Sequence, residues 1–345
     1  MSSPRSGNWQ NLRVPVNRVP RRLRESSAHL RRLNLTAVQA NARNELLEKI
    51  RSGKWVENQT ACPVCGADGG RVIAEIDRYG IPVTTVICKV CSLIRTVNQL
   101  RESDYAEFYS SFYRSLYDGA LHASPKFVDE QIVRGRRLVR IISRHIDLDG
   151  KLVVEVGCGA GGVLRAFQEV GSQVFGCDYG EEYLEAGRRL GLDLVRGGIS
   201  EIPTGIADVI VYSHVLEHIQ DLKGEFDEIR RVLKPAGKLV VEVPGVYKIH
   251  RQYAGDILEY LQNAHLYHFT RQTLTLICSK FGFSEVWSNQ HVYGVFSPDN
   301  DVRPSIRARK DVRLRPYLFL CRLSRHFLRA LTQLLIRNTY RGAQS

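Results

Sequence analysis

Apolar and polar positions follow a regular alternation over the second half of the chain. Short apolar runs of strand length alternate with segments whose apolar residues recur every three or four positions. This pattern is typical of a parallel sheet with helices on both faces, an α/β fold. Strands are predicted at 152–156, 173–177, 193–195, 208–212, 238–243, 284–287 and 292–296, and helices at 163–170, 182–190, 223–233 and 270–281. No helix separates the last two strands, so we expect that pair to be antiparallel.

The flanking segments differ from this core and from one another. A helical pattern over 35–50 lies in an arginine-rich lead-in, and a second one covers 126–146. The predicted organisation is a basic helical lead-in (1–60), a cysteine-containing module (61–97), an aromatic and helical connector (98–148), the alternating domain (149–300) and a basic C-terminal helix (301–345).

Charge is unevenly distributed along the 345 residues, whose net charge is +13. Residues 1–60 carry 12 basic and 4 acidic side chains, residues 302–345 carry 11 and 1, and the intervening segment carries 26 and 31. A catalytic core that grips nucleic acid would carry the positive charge itself, so nucleic acid is disfavoured as a partner. The arginine-rich N-terminus lacks an apolar core and no apolar run reaches 18 residues, which favours a cytoplasmic protein.

The basic C-terminal segment has amphipathic spacing over 317–337. Its apolar positions include Leu320, Leu323 and Phe327, with arginines opposite. Such a helix fits peripheral contact with the inner face of an anionic membrane. It fits equally a helix docked on the protein's own core or on a second copy, and the sequence does not determine the oligomeric state.

Four cysteines form two tight pairs: Cys62, Cys65, Cys88 and Cys91 stand in a C-x2-C-x22-C-x2-C arrangement. Two such pairs can complete a tetrahedral sulfur shell, so we predict a structural Zn²⁺ site, with a β-hairpin over 71–85 between the pairs. A redox dithiol or unbonded core cysteines are the alternatives. The remaining cysteines lie in apolar surroundings and are expected to pack.

A glycine-rich turn follows the first predicted strand of the alternating domain. Gly157, Gly159 and Gly162 satisfy the G-x-G-x-x-G spacing of dinucleotide sites, and Asp178 lies 21 residues past Gly157, where a carboxylate can bind ribose hydroxyls. Glu155, two residues before the first glycine, would repel a pyrophosphate but suits a cationic ligand. The turn therefore favours S-adenosylmethionine, which carries an ammonium and a sulfonium and no phosphate.

Residues 150–297 resemble the class I S-adenosylmethionine-dependent methyltransferases. The resemblance rests on the residues of the glycine-rich turn, on Asp178 and on the Pro235–Gly237 turn before the fifth strand. The resemblance implies a Rossmann-like sheet, mostly parallel with the last strand antiparallel. It also implies roles at the cofactor. Glu155, Gly157, Cys158, Gly159 and Gly161 would hold the methionine part, Asp178 the ribose and Tyr179 the adenine, and Ser213 would lie beneath the cofactor. The acid that the family places after its third strand is replaced here by Gly197-Gly198.

Cysteine pairs followed by such a domain resemble a bacterial group with an N-terminal zinc-binding domain, which includes nucleotide-sugar C-methyltransferases of polysaccharide pathways. The tyrosine-rich stretch from Tyr105 to Tyr117 also resembles that group, where it lies over the substrate pocket. An ordinary packed connector explains the stretch equally well. The acceptor that this resemblance implies is a small molecule, a sugar or nucleotide sugar.

Loss of a proton from a hydroxyl or carbon acid needs a base, and two histidines are candidates. His265 matches the base of the sugar C-methyltransferases, but Gln262 and Ala264 replace the tyrosine and glutamate of their Tyr-x-Glu-His run. Methylation at oxygen and at carbon therefore both stay open. His218 lies in a Leu-Glu-His run after the fourth strand. A purely packing or helix-capping role is the alternative for each histidine.

Two other functional classes remain. One is an RNA methyltransferase that binds through the cysteine module and the basic ends. Against it, the fourth strand leads into Ser213-His214-Val215-Leu216 and not into the Asp/Asn-Pro-Pro-aromatic motif of enzymes that methylate base amino groups. The other is a zinc-stabilised binding protein without catalysis.

Overall fold

Seven strands form the large sheet of the protein. The computed structural model describes residues 35–55, 57–119, 123–302 and 311–321. The strands are β6 (Leu152–Val156), β7 (Gln173–Asp178), β8 (Leu194–Arg196), β9 (Ala207–Ser213), β10 (Leu233–Glu242), β12 (Phe283–Ser288) and β13 (Tyr293–Pro298). Their order across the sheet is β12-β13-β10-β9-β6-β7-β8, and β6 to β10 run parallel. The predicted antiparallel pairing of the last two strands is confirmed.

Helices cover this sheet, and its central strands are buried on both faces, as their continuous apolar runs require. Val153, Val209, Val211 and Val240 belong to one cluster of the core. The helices here are α4 (Pro125–Ile142), α5 (Gly162–Gln168), α6 (Glu181–Arg189), α7 (Leu222–Val232) and α10 (Arg271–Lys280). The Rossmann-like α/β fold expected from the alternating pattern is confirmed.

Several predicted boundaries were wrong, and the helix predicted over 126–146 ends at Ile142. The fifth strand was expected to start at Lys238 after a Pro-Gly turn, but β10 already pairs Leu233 with Ala207 and its register shifts before Lys238. The turn is thus an irregularity inside the strand. Helix α5 ends at Gln168, two residues early, because Val170 and Gly171 close a turn onto Phe167 and Gln168.

A second, four-stranded sheet carries the cysteine pairs. The predicted hairpin is present as β2 (Arg71–Ile76) and β3 (Pro82–Ile87), followed by β4 (Ile94–Thr96) and, from far along the chain, β11 (Tyr267–His268). The sheet order is β11-β4-β3-β2. A strand that follows β10 therefore completes the sheet of the cysteine segment, and both sheets belong to one compact unit.

Short elements connect these two sheets. The predicted lead-in helix is α1 (Ala37–Arg51), which Thr36 and Gln39 close with a reciprocal capping box. Strands β1 (Glu57–Gln59) and β5 (Asn98–Leu100) pair with each other. The remaining helices are α2 (Glu102–Glu107), a π-helix (Phe108–Phe112), α3 (Tyr113–Tyr117), α8 (Ile249–Gln252) and α9 (Ile257–Tyr260), with 3₁₀ turns at Ile199–Glu201, Leu216–His218 and Val246–Lys248.

The described part of the C-terminal segment packs on the protein itself. Residues 314–321 are helical, and Leu314, Tyr317 and Cys321 join a core cluster, whereas Leu320 of the predicted apolar face is exposed. The rest of the predicted 317–337 helix and the lead-in before residue 35 lie outside the described residues. Within the ranges that the structure covers, no helix is both long and apolar enough to cross a bilayer.

Candidate active site

A large cavity opens at the carboxyl ends of β6, β7, β9 and β10, the edge where open α/β sheets bind ligands. Its volume is about 2270 Å³. Ligand pockets commonly measure about 300–1,000 Å³, so this cavity has room for a methyl donor and an acceptor together. Among the residues predicted from sequence, those lining it are Gly157, Gly159, Asp178, Tyr179, Ser213, His218 and His265.

The glycine-rich turn forms one wall, and its first glycine is sterically required. Gly157 has φ +69°, and a Cβ there would lie 2.5 Å from Cγ2 of Val215. The turn is held by Asp178, whose Oδ2 accepts from the Gly159 N–H at 2.9 Å and whose Oδ1 accepts from the Gly180 N–H at 2.8 Å. Asp178 thus links the turn to the start of α6 and also faces the cavity.

Tyr179 lies beside Asp178 and is 71% exposed. A Cβ at Gly198 would lie 2.7 Å from the Tyr179 hydroxyl oxygen. Gly198 lies where the class I enzymes have an acid after the third strand, and its lack of a side chain leaves room for Tyr179. Sequence analysis noted Gly197-Gly198 only as a departure and did not foresee this packing.

Three of the predicted cofactor residues do not line the cavity. Cys158 is fully buried in a cluster with Leu164 and Leu184, and a Cβ at Gly161 would meet Leu192 instead of open space. Glu155 is buried with Oε2 unpartnered, and burial raises the pKa of its carboxyl well above the usual range. These residues lie beneath the turn, so they act on a ligand only through the backbone or across a short distance.

Ser213 ends β9 and is anchored to the neighbouring strand. Its hydroxyl donates to Oε2 of Glu242 at 2.9 Å, and Oε1 of Glu242 lies 3.8 Å from Nε2 of His214. Burial opposes ionisation of Glu242, but the neighbouring His214 and the hydrogen bond from Ser213 hold its pKa at about 2. The cavity therefore contains a fixed anion near the carboxyl ends of β9 and β10.

Two histidines from distant segments meet at the cavity. The rings of His218 and His265 have centroids 4.7 Å apart and are nearly perpendicular. Burial lowers the pKa of His218 to about 4 and that of His265 well below the usual value, so both rings are neutral at physiological pH. Glu217, which sequence analysis left without a role, lies between them with Oε1 3.9 Å from each Nε2.

Tyrosines spaced four residues apart cover these histidines. Tyr109, in the π-helix, places its hydroxyl 3.2 Å from Nδ1 of His218, and the Tyr113 ring lies 5.8 Å from the His218 ring. Tyr117 hydrogen-bonds to the side chain of Asn263 and accepts from the Ala264 N–H at 3.3 Å. The tyrosine-rich stretch therefore contacts both the histidines and the segment that carries His265.

Residues 261–266, here called the base loop, are held by the cysteine-bearing sheet. Oδ2 of Asp77, in the turn between β2 and β3, accepts from the Asn263 N–H at 3.0 Å. The Thr96 N–H donates to the Leu266 carbonyl at 2.9 Å, and the Thr96 hydroxyl donates to the His265 carbonyl at 3.3 Å. The position of His265 thus depends on a part of the chain about 170 residues earlier.

The four paired cysteines come together as predicted. All four sulfurs lie within 4.8 Å of one another, with Cys62 and Cys91 at 3.5 Å and Cys65 and Cys88 at 3.4 Å. These distances exceed the roughly 2.05 Å of a disulfide. Hydrogen bonds within the cluster raise the pKa of Cys62 and Cys91 and lower that of Cys88. A bound metal ion would favour the thiolate form of its ligands.

Comparison with known proteins supports a methyltransferase. Residues 130–288 match the family described as "Methyltransferase domain", and this segment carries the glycine-rich turn and both histidines of the cavity. Its sheet order and its cavity agree with the S-adenosylmethionine-dependent class I type that the sequence resembles.

Individual relatives cover less of the chain. The C-methyltransferase NovU of Streptomyces niveus is 25% identical over 245 residues, which are 64% of this chain and 54% of NovU. The ubiquinone biosynthesis O-methyltransferase of Idiomarina loihiensis is 33% identical over 108 residues, 28% of this chain and 44% of that enzyme. This chain thus spans about half the length of the curated relatives that it matches.

Solved structures that are similar to this chain include the 1,6-didemethyltoxoflavin-N1-methyltransferase of Burkholderia thailandensis with bound 1,6-didemethyltoxoflavin and S-adenosylhomocysteine. It is 19% identical, and the match covers 60% of this chain and 96% of that one, with a TM-score of 0.46.

Proposed function

We propose that this protein transfers a methyl group from S-adenosylmethionine to a hydroxyl or carbon of a small-molecule acceptor, a sugar or nucleotide sugar. The observation that carries the proposal is a cavity with the glycine-rich turn on one wall and His218 and His265 on the other. The matched relatives include a C-methyltransferase and O-methyltransferases. Both reactions need a donor pocket next to a base, and the glycine-rich turn and the histidine pair would supply this combination.

The donor would lie along the turn from Gly157 to Gly161, with its ribose at Asp178 and its adenine beside Tyr179. Glu155, directly beneath the turn, supports the placement of the methionine part. Its Oε2 is buried without a partner and burial favours its neutral form, so a nearby ammonium of S-adenosylmethionine would favour the ionised carboxylate. A nicotinamide dinucleotide would instead bring a diphosphate toward the acidic groups Glu155, Asp178 and Glu242.

His265 is the proposed base. It lines the cavity, and burial holds its pKa well below the usual value, which keeps the ring neutral. The acceptor would approach from the side of the cavity formed by the tyrosines. Arg137 and Lys248 face the cavity, and neither has a salt-bridge partner within the described ranges. These two cations support an anionic acceptor such as a nucleotide sugar.

Zn²⁺ is the proposed occupant of the cysteine cluster. Both C-x2-C turns are closed in the same way, by Gly66 N–H to Cys62 O at 2.8 Å and by Ser92 N–H to Cys88 O at 3.1 Å. Such paired turns direct two thiolates each toward a common point. Four protein ligands leave no open position, so the proposed role is structural.

The test is a methyl-transfer assay against a panel of sugars and nucleotide sugars, with the methylated position determined by mass spectrometry and NMR. Replacing the base, His265→Gln, should lower kcat by about 10²-fold while the Kd for S-adenosylmethionine changes less than twofold. The matched control is His145→Gln, since His145 stacks on Trp287 away from the cavity. Full turnover in His265→Gln would remove this residue from the mechanism.

A further inference from the structure

Arg95 is a charged residue that the fold buries completely. It lies in β4 of the cysteine-bearing sheet and is 0% exposed. Within the described ranges its guanidinium has no carboxylate at salt-bridge distance, and its Nε has no hydrogen-bond partner. Arginine is almost never fully buried unless it is paired. The burial of this side chain therefore needs an explanation that methyl transfer by itself does not give.

The first C-x2-C turn and its flanking residues hold the guanidinium through backbone carbonyls. Nη1 donates to the Thr60 carbonyl at 2.7 Å, and Nη2 donates to the Ala67 and Gly69 carbonyls at 3.4 and 3.2 Å. The Ala67 carbonyl also accepts from the Cys62 N–H at 3.0 Å. Arg95 and the first turn thus share an acceptor, so the position of one depends on that of the other.

The strand that carries Arg95 also holds the base loop. Arg95 pairs with Tyr267 of β11, and the N–H of the next residue, Thr96, donates to the Leu266 carbonyl at 2.9 Å. The Thr96 hydroxyl donates to the His265 carbonyl at 3.3 Å. A strand of three residues therefore connects the cysteine turns with a histidine that lines the cavity.

The cysteine turns have little regular structure that would hold this arrangement without a metal. Residues 60–70 form neither a helix nor a strand, and all four paired cysteines are free thiols. Ser92, which closes the second turn, has φ +68°, a left-handed conformation that is uncommon for residues other than glycine. Such a backbone persists only where its surroundings hold it. Thiolate ligation of Zn²⁺ would supply that hold, because metal binding at such sites is coupled to local folding.

Charge favours the loaded cluster in the same direction. Four thiolates outweigh the charge of one Zn²⁺, so the loaded cluster is anionic. A buried cation gains from an anion in the same low-dielectric region, and removing its partners is strongly destabilising. Opening of the first turn would withdraw the carbonyls of Thr60, Ala67 and Gly69 from Arg95 together with this anion.

We propose that Arg95 is a positioning residue that makes the placement of His265 depend on zinc. With the cluster loaded, the first turn holds Arg95, and β4 holds the base loop. With zinc removed, the turn opens, Arg95 loses its carbonyl partners, and β4 releases the base loop, while the donor pocket at the glycine-rich turn stays intact. The inference rests on the proposed zinc site, and its consequence for turnover rests on the proposed methyl transfer.

The experiment is hydrogen exchange, followed by mass spectrometry, on the full chain loaded with zinc and after removal of zinc by a chelator. Zinc removal should speed exchange in peptides that cover β4 and the base loop at least about tenfold, as a local opening requires. Peptides from β6 and β9, at the centre of the large sheet, should exchange at unchanged rates. The Kd for S-adenosylmethionine should change less than twofold.

Arg95→Met separates the arginine from the metal, because the variant keeps all four cysteines and an apolar side chain of similar length. Its Kd for zinc should rise about tenfold, as for residues that support metal ligands. At saturating zinc its base loop should exchange as fast as in the zinc-stripped wild type. With the acceptor found in the panel, kcat should fall at least about tenfold while the Kd for S-adenosylmethionine stays unchanged. The control is Arg71→Met, an exposed arginine of β2 in the same sheet, which should behave like the wild type.

Three results would overturn the inference. Base-loop exchange that does not respond to zinc excludes the coupling, and this wild-type comparison holds even if Arg95→Met does not fold. Equal acceleration in β6 and β9 would make zinc a support of the whole fold and not of the base loop. Wild-type protection of the base loop in zinc-saturated Arg95→Met would exclude the arginine.

The same measurements separate this inference from the proposed function. A wild type that holds no zinc contradicts the proposed occupant of the cluster and removes the inference with it. Zinc-dependent exchange of the base loop in a protein that transfers no methyl group supports the coupling and contradicts only the proposed reaction, because exchange is measured without an acceptor.

Discussion

Asp77 offers a way to disturb the base loop without touching the cavity. Its Oδ1 accepts from the N–H groups of Tyr79 and Ile81 at 2.8 and 2.9 Å, and its Oδ2 accepts from the Asn263 N–H at 3.0 Å. In Asp77→Asn the amide oxygen can keep both bonds within the hairpin. The amide nitrogen then faces the Asn263 N–H and cannot accept from it. The substitution therefore cuts the link between the hairpin and the base loop.

The expected effect on stability depends on pH, and its sign follows from the burial of Asp77. A buried N–H left without an acceptor costs about 1–3 kcal/mol. Burial raises the pKa of Asp77 from 3.8 to about 6. The stability that the protonated carboxyl contributes is fully present below pH 3.8 and is lost as pH rises through 6. The ionised side chain thus costs the wild type about 3 kcal/mol at pH 8, a cost that asparagine avoids. We expect nearly equal stability at pH 8 and a less stable variant, by about 1–3 kcal/mol, at pH 4.

At pH 8, where we expect Asp77→Asn to be about as stable as the wild type, its catalytic activity should still fall. Released from Asp77, the base loop shifts His265, and a displacement of about 1 Å at a catalytic group can cost 10²-fold in rate. At pH 8 we expect kcat to fall at least about tenfold with the Kd for S-adenosylmethionine unchanged. Asp299→Asn is the control, because Asp299 also accepts from two backbone N–H groups but in a turn after β13. An unchanged kcat in Asp77→Asn would refute the reasoning.

Three further predictions concern the metal, the turn and the C-terminus. Cys88→Ser should abolish the single bound zinc measured by mass spectrometry and lower Tm, whereas Cys278→Ser should retain the metal; equal zinc in both would contradict the site. Gly157→Ala should lose binding of S-adenosylmethionine by calorimetry because its Cβ meets Val215, while Gly205→Ala, with the same positive φ but open space, should bind normally. A chain ending at residue 321 should float less with anionic liposomes than the full chain; equal flotation argues against membrane contact through 322–345.

Periodicity was sufficient for the large sheet because its central strands β6 and β9 are almost entirely apolar and buried, and the flanking strands alternate with helices of regular spacing. The two-residue strand β11 has no pattern of its own, so its pairing with β4 could not be predicted. The same limit applies to Glu217, since a glutamate next to a histidine in sequence gives no indication that its carboxylate is buried. Its burial became visible only once the base loop was placed against the Leu216–His218 turn by the cysteine-bearing sheet.

The motifs were informative where spacing alone dictates geometry. Two C-x2-C pairs bring four sulfurs together in the fold, and the glycine-rich turn lines the cavity as expected. The prediction was less complete at Glu155, Cys158 and Gly161, which lie beneath the turn. A strand-end residue points to either face of the sheet, and the sequence does not reveal which face the ligand occupies.

The central claim is that the pocket at the glycine-rich turn accepts a cationic sulfonium donor and excludes a diphosphate. Isothermal calorimetry of the full chain with S-adenosylmethionine and, separately, with NADH tests it directly. The account predicts one equivalent of S-adenosylmethionine bound and no measurable binding of NADH. Tighter binding of NADH than of S-adenosylmethionine would contradict it.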